Sequence, residues 1–190
     1  MVKTIKSFLR ARLRKFLLEE LWLEDYIKMG MTIGDNCSIR DGVIFDYSHC
    51  WLIKIGNNVS IAPQAYLLAH DASTKKLNGF NYTIIRGITI EDNVFIGARA
   101  IIMPGVTVGK NSIVAAASVV TRSIPENSIV AGNPAKIIST VDKYEEKIKE
   151  QFSDPRTKVY SSEFTIGGGI SDINKDNMYE ALKNSNGFVV

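Results

Sequence analysis

Apolar side chains recur every sixth residue through the middle of the chain: Ile33, Ile39 and Phe45; Ile55, Ile61 and Leu67; then Ile90, Ile96, Ile102, Val108, Val114 and Val120. Four places after most of these the residue is small or β-branched: Cys37, Val43, Val59, Ala65, Val94, Ala100, Val106, Ser112 and Ser118. A fixed period of six predicts a repeat architecture, in which each unit is a short strand ending in a turn and three units close one coil. Stacked coils bury both sets of side chains in columns, and no coil is stable without its neighbours. An antiparallel sandwich would show period-two alternation with irregular turns instead. Gly34, Gly56, Gly97 and Gly109 follow the apolar positions, and Asp35-Asn36, Asn57-Asn58, Asp92-Asn93 and Lys110-Asn111 supply corners suited to tight-turn dihedrals.

The pattern divides the chain into an N-terminal helical cap (1–30), a repeat array (31–138) with a protruding loop (73–89), and a C-terminal helix and tail (139–190). Val2 to Met29 reads as an amphipathic helix, with Val2, Ile5, Leu9, Leu13, Phe16, Leu17 and Leu21 along one stripe and Lys3, Lys6, Arg10, Arg14 and Lys15 off it. Covering the open end of the array, or packing in an oligomer, is the favoured role; peripheral contact with an anionic membrane surface is the alternative. Two breaks are expected in the array. Four extra residues, assigned to Trp51–Lys54, bulge from the first coil, and a longer excursion runs from about Ser73 to Thr89. The array is expected to end near Pro125, with a non-repetitive exit over Glu126–Ile138. A second amphipathic helix from Thr140 to about Phe152 carries Val141, Tyr144, Ile148 and Phe152 on one face, and the polar tail beyond it predicts little.

Composition narrows the class. The 190 residues are 45% hydrophobic with a net charge of +3, which excludes disorder and offers no dense basic patch for nucleic acid. No apolar run approaches the ~20 residues that span a bilayer, and no secretory signal is recognisable. The cytoplasm is the expected compartment, with its membrane face as the alternative. Two cysteines, Cys37 and Cys50, read as packed free thiols.

Insertions into a solenoid tend to mark its binding face. His70 stands where the regular coil gives way to the long excursion, which makes it the candidate general base, since histidine exchanges protons near neutral pH. The other histidine, His49, lies beside the first bulge.

The runs Ile90-Glu91-Asp92-Asn93-Val94-Phe95-Ile96-Gly97-Ala98, Pro104-Gly105-Val106-Thr107-Val108-Gly109, Ala116-Ala117-Ser118-Val119-Val120-Thr121-Arg122 and Val130-Ala131-Gly132-Asn133-Pro134-Ala135-Lys136 resemble the hexapeptide-repeat acyltransferases of the maltose and galactoside O-acetyltransferase type. The resemblance covers about Ile33 to Ile138. It implies a left-handed parallel β-helix, a homotrimer with active sites between subunits, and acetyl-CoA as donor without a required metal. Handedness comes from the resemblance alone, because a six-residue period does not set it. In such enzymes a histidine at the position of His70 acts as general base on an acceptor hydroxyl, with no acyl-enzyme. Positions matching the donor site are Ala98, Ala116, Thr121 and Arg122, with Lys136 where a basic residue meets CoA phosphates.

The chain departs from the simple sugar transferases in two ways. The stretch that there begins with a sugar-holding Asn reads Ile44-Phe45-Asp46, and the longer N-terminal region is replaced by a short basic helix. Asp46-Tyr47-Ser48-His49-Cys50-Trp51 looks more like the acyltransferases of capsule and surface-polysaccharide biosynthesis. The expected acceptor is accordingly a hydroxyl on a glycan or glycan precursor, with Asp46, His49 and Asp71 as acceptor-binding or His70-orienting residues. The alternatives are an N-acetyltransferase of an amino-sugar nucleotide and a non-catalytic scaffold. A γ-class carbonic anhydrase is excluded because it needs three histidine ligands and the chain has two histidines.

Overall fold

The computed structural model describes residues 21–190. Most of the expected N-terminal helix lies outside them. Its described end contains the helix α1 (Leu23–Lys28), preceded by extended backbone at Trp22. The Trp22 amide donates to the Asp25 carboxylate at 2.9 Å, the capping-box bond by which the third helical residue satisfies the N–H of the cap residue. Tyr26 of α1 is buried edge-to-face on Phe45, ring centroids 5.3 Å apart, so this helix closes over the first coil.

Each coil is built of three short strands. The first contains β1 (Thr32–Ile33), β2 (Ser38–Ile39) and β3 (Ile44–Phe45); the second β4 (Ile53–Ile55), β5 (Ser60–Ile61) and β6 (Tyr66–Leu67). A loop carrying β7 (His70–Asp71) and β8 (Ile84–Ile85) intervenes before the third, β9 (Ile88–Ile90), β10 (Phe95–Ile96) and β11 (Ile101–Ile102). The fourth contains β12 (Thr107–Val108), β13 (Ile113–Val114) and β14 (Val119–Val120). Strands pair in parallel only with their counterparts above and below, giving the sheets β1-β4-β9-β12, β3-β6-β11-β14 and one that contains β2-β5-β10-β13. The register is that of the sequence repeat, with Ile33 opposite Ile55 and Leu67 opposite Ile102. The result is the left-handed parallel β-helix expected from the resemblance.

Both predicted columns point inward. Ile61, Leu67, Ile96, Ile102 and Val108 are fully buried, as are Val59, Ala65, Ala100, Ser112 and Ser118. Burying each Ile, Leu or Val of these columns contributes roughly 1.5–3 kcal/mol, so stability is spread along the array. Asn36, Asn58, Asn93 and Asn111 all adopt φ near +55°, the left-handed conformation that asparagine tolerates better than most residues. The apolar faces are not confined to the interior. The outward residues of one sheet are Ile44, Tyr66, Ile101 and Val119, where the equivalent positions of another are Thr32, Lys54, Thr89 and Thr107.

The structure corrects three boundaries. The first bulge is not Trp51–Lys54: Ile53–Ile55 is a regular strand with Ile53 and Ile55 buried, and the additional residues form the corner Asp46–Leu52, ending in a 3-10 turn at Cys50–Leu52. The turn wins because Ile53 and Ile55, two apart, both reach the core. The long excursion ends at Gly87, since Thr89 pairs with Lys54 and Thr107 within the sheet. The array also continues past Pro125, for β15 (Ser128–Gly132) stacks on β13 with Val130 opposite Val114 and then turns back antiparallel into β16 (Ala135–Thr140).

The chain splits into two compact units at Val141/Asp142. Helix α2 (Val141–Ser153) falls where the sequence pattern puts it. The tail, from which little was expected, forms a parallel pair, β17 (Lys158–Tyr160) with β18 (Gly187–Val189), linked through α3 (Asp172–Leu182). Among the described residues no helix is long and apolar enough to cross a membrane.

Candidate active site

One corner of the β-helix carries both interruptions. Because Phe45, Leu67, Ile102 and Val120 are in register, the residues that follow them, Asp46, Leu68, Met103 and Thr121, stack in a column as each strand ends. Backbone bonds hold the column: Asp46 N to Leu67 O, Leu68 N to Ile102 O and Met103 N to Val120 O, at 2.9–3.0 Å. In the first coil the chain leaves through Asp46–Leu52, and in the second through the long loop.

Asp46 is 4% exposed and its carboxylate is satisfied on both oxygens. Oδ1 accepts from the backbone amides of Ser48 (3.0 Å) and His49 (3.2 Å). Oδ2 accepts from the Ala69 amide at 2.9 Å and faces Nδ1 of His70 at 2.5 Å. Burial alone would push this carboxyl up, but the hydrogen bond from His70 and the amides of Ala69 and His49 outweigh it and hold it below its ordinary 3.8. An ionised carboxylate only accepts hydrogen bonds, so the proton of the neutral imidazole sits on Nδ1 and the lone pair on Nε2. The His70 side chain is 36% exposed. The arrangement is a carboxylate–imidazole dyad able to take a proton from a substrate atom at Nε2 and to stabilise the resulting imidazolium.

The neck of the long loop fixes His70. β7 and β8 pair antiparallel, His70 opposite Ile85, and the Arg86 amide donates to Ala69 O at 2.9 Å. Arg86 lies over Gly105, where an added Cβ would come within 2.9 Å of its Cδ. Asp71 turns away into the loop. Its Oδ1 accepts from the Ser73 amide at 2.8 Å, and that bond holds its carboxyl below the ordinary value.

His49 completes a cluster. Its ring is 5.6 Å from that of His70 and 5.3 Å from that of Trp51, which is half exposed. Nδ1 of His49 is buried, has no hydrogen-bond partner, and stands 3.9 Å from Asp46 Oδ1.

The expected donor-side residues are distributed differently. Thr121 and Arg122 are exposed and share the corner of Asp46. Ala98 and Ala116 stack at the preceding corner, where Ala117 N donates to Ala98 O at 2.8 Å. Gly97 allows the coils to close there, because a Cβ at this position would lie 2.4 Å from Ala116 N. Lys136 is exposed on β16 opposite Ala131. Reading the sequence missed the Ala69 amide and Trp51 as parts of the site. Backbone donors leave no sequence signal, whereas an aromatic residue two places from His49 in a bulge could have been weighed.

The model for the hexapeptide repeat of succinyl-transferase matches residues 87–122. Protein CapG of Staphylococcus aureus is 40% identical over 137 residues, covering 67% of this chain and 76% of the relative. The galactoside O-acetyltransferase of Escherichia coli is 35% identical over 141 residues, covering 63% and 68%. Among solved structures, galactoside acetyltransferase in complex with coenzyme A superposes with a TM-score of 0.53 at 26% identity, covering 73% of this chain and 82% of that one. With the six-residue register on three parallel sheets, these likenesses show that the chain belongs to the hexapeptide-repeat acetyltransferase family.

Proposed function

We propose that this acetyltransferase moves the acetyl group of acetyl-CoA to a sugar hydroxyl on a glycan or glycan precursor, with His70 as general base. The observation that carries the reading is the Asp46–His70 pair at 2.5 Å, on the corner where the chain opens into its long loop. The acceptor hydroxyl gives its proton to Nε2 of His70 as its oxygen attacks the thioester carbonyl. The tetrahedral intermediate then collapses, the C–S bond breaks, and the imidazolium returns the proton to the CoA thiolate. Asp46 keeps the ring oriented and balances the charge it gains between the two steps. A galactoside O-acetyltransferase among the relatives and a CoA complex among the similar structures support the sugar and the donor.

The donor is assigned to Ala98, Ala116, Thr121 and Arg122, with Lys136 and Arg122 toward the phosphates. Small side chains at Ala98 and Ala116 suit a narrow pantetheine arm, and Arg122 offers planar, fixed donors to a phosphate. Asp46 is the orienting residue and His49 the acceptor-side one. Asp71, whose Oδ1 accepts from the Ser73 amide, is assigned to shaping the loop beside the acceptor. Ala98 and Ala116 stand at a different corner from His70, which favours active sites shared between subunits. The apolar outward column Ile44, Tyr66, Ile101 and Val119 supplies the contact surface for a homotrimer.

The deciding experiment measures acetyl-CoA consumption against sugars, nucleotide sugars and glycan oligomers, with mass spectrometry of the product. An O-acetylated sugar is expected. An N-acetyl product on an amino-sugar nucleotide would replace the proposal, and no turnover on any class would favour a scaffold.

A further inference from the structure

Asp46, His49 and His70 each offer one ligand-type atom, and these atoms lie within 4.8 Å of one another. Two imidazole nitrogens and a carboxylate oxygen make a donor set suited to zinc and poorly suited to magnesium or calcium, which prefer all-oxygen shells. Bonds of about 2.0–2.1 Å in a tetrahedron put ligand atoms roughly 3.3–3.4 Å apart. Asp46 reaches the two histidines through different oxygens, Oδ2 to His70 Nδ1 at 2.5 Å and Oδ1 to His49 Nδ1 at 3.9 Å, one closer and one farther than that spacing, so an ion is held once the side chains adjust around the carboxylate. Nδ1 of His49 is buried and has no hydrogen-bond partner, an atom that the acetyl-transfer chemistry leaves unexplained. The His49 and His70 side chains are 23% and 36% exposed, so the cluster lies at the surface end of the corner rather than deep in the core.

We propose that Asp46, His49 and His70 form a binding site for Zn²⁺, and that zinc bound there switches the dyad off. The consequence follows from proton bookkeeping. A neutral imidazole has one proton, now on Nδ1 of His70. When zinc takes the Nδ1 lone pair, that proton moves to Nε2, no proton is gained or lost by the ring, and the lone pair that would accept the substrate proton is gone. Asp46, already ionised, exchanges its hydrogen bond with His70 for the metal. The inhibition rests on the reading of His70 as the base; the binding does not.

The test titrates the chelator-treated, full-length protein with Zn²⁺ against a chromogenic chelator, and with Co²⁺ by visible absorption. One ion per chain is expected, with cobalt bands of four- or five-coordinate N/O ligation and no thiolate charge-transfer band. His49→Ala, and separately His70→Ala, should weaken zinc at least 10-fold with an unchanged circular dichroism spectrum. Zinc should inhibit acetyl transfer reversibly, and the inhibition constant should rise in parallel in His49→Ala, measured against that variant's own metal-free rate. Absence of saturable binding, affinity unaffected by His49→Ala, or a thiolate band pointing to Cys37 or Cys50 would overturn the site. Binding that depends on His49 and His70 but leaves acetyl transfer untouched would keep the site and remove His70 as the base.

Discussion

Nδ1 of His70 and Oδ2 of Asp46 meet at 2.5 Å although 24 residues separate them in the chain. One coil of the β-helix spans that separation. Asp46 follows Phe45 and His70 follows Leu67 by three places, and Phe45 and Leu67 are paired residues of adjacent coils. The dyad is therefore set by the stacking register, and the Ala69 amide, bonded to the same carboxylate oxygen, ties the loop neck to the coil beneath it.

Asp46→Asn should lower kcat/KM by about 10²–10⁴, the range for a disabled general base. The carboxylate accepts two hydrogen bonds on each oxygen, whereas an amide offers one oxygen. If its NH₂ faces His70, the ring takes the other tautomer and Nε2 loses its lone pair. If it faces Ser48 and His49, two amide donors confront it and the corner loosens. Turnover by the folded variant within a few-fold of the parent would refute the orienting role.

His70→Ala should leave the fold and CoA affinity close to the parent while reducing kcat by about 10²–10⁴. The side chain is partly open, and the β-helix core does not depend on it. His49→Ala should act mainly on the acceptor KM. Calorimetry with CoA and steady-state rates on a confirmed acceptor separate the two, and full turnover by His70→Ala would transfer the candidacy to His49.

The solenoid was legible because a period of six repeats one physical decision, an apolar residue inward at each strand and a left-handed corner at Asn36, Asn58, Asn93 and Asn111. Where the period breaks, the sequence offers only a count. Four residues were plainly in excess of the register after Phe45, but not that Ile53 would return to the core and put them before it. His70 was readable from its place at the opening of the loop. Asp46 is one of three candidates for orienting it, and that Asp46 rather than His49 or Asp71 meets its Nδ1 depends on coil-to-coil register and on backbone amides, neither of which is written in residue types. The C-terminal strands, three residues each and drawn from a polar stretch, carry too little pattern to be seen.

Acid should weaken the fold partly through Asp46. Its folded-state carboxyl is held below the ordinary 3.8, so the stability it contributes is complete above that pH and is lost as the pH falls through the lower folded value. Urea midpoints measured from about pH 6 down to about pH 2 should fall more steeply for the parent than for Asp46→Asn, which lacks the titrating carboxyl. Parallel curves for the two proteins would show that the group does not titrate with folding.

Arg122→Ala should weaken CoA more than dephospho-CoA if the guanidinium meets the 3′-phosphate. An exposed arginine paired with phosphate contributes through charge-assisted hydrogen bonds, which disappear with the phosphate. Direct binding of the two ligands to parent and variant checks this, and equal losses for both would remove Arg122 from the phosphate.

The outward column Ile44, Tyr66, Ile101 and Val119 gives the assembly its own test. Tyr66 is 39% exposed on the flat of a sheet, between Ile44 and Ile101 in register. Tyr66→Lys puts a charge into the middle of that column without touching the core, since the buried neighbours Ala65 and Leu67 point the other way. Light scattering should give the parent about three times the 21.1 kDa chain and the variant a mass near one chain. A desolvated, unpaired lysine is costly enough to separate subunits held mainly by apolar contact. If the active sites are shared between subunits, turnover should fall with the mass while the melting profile of the β-helix persists. A Tyr66→Lys protein that is monomeric and fully active would show that one chain holds the whole site, and a parent that is already monomeric would remove the trimer itself.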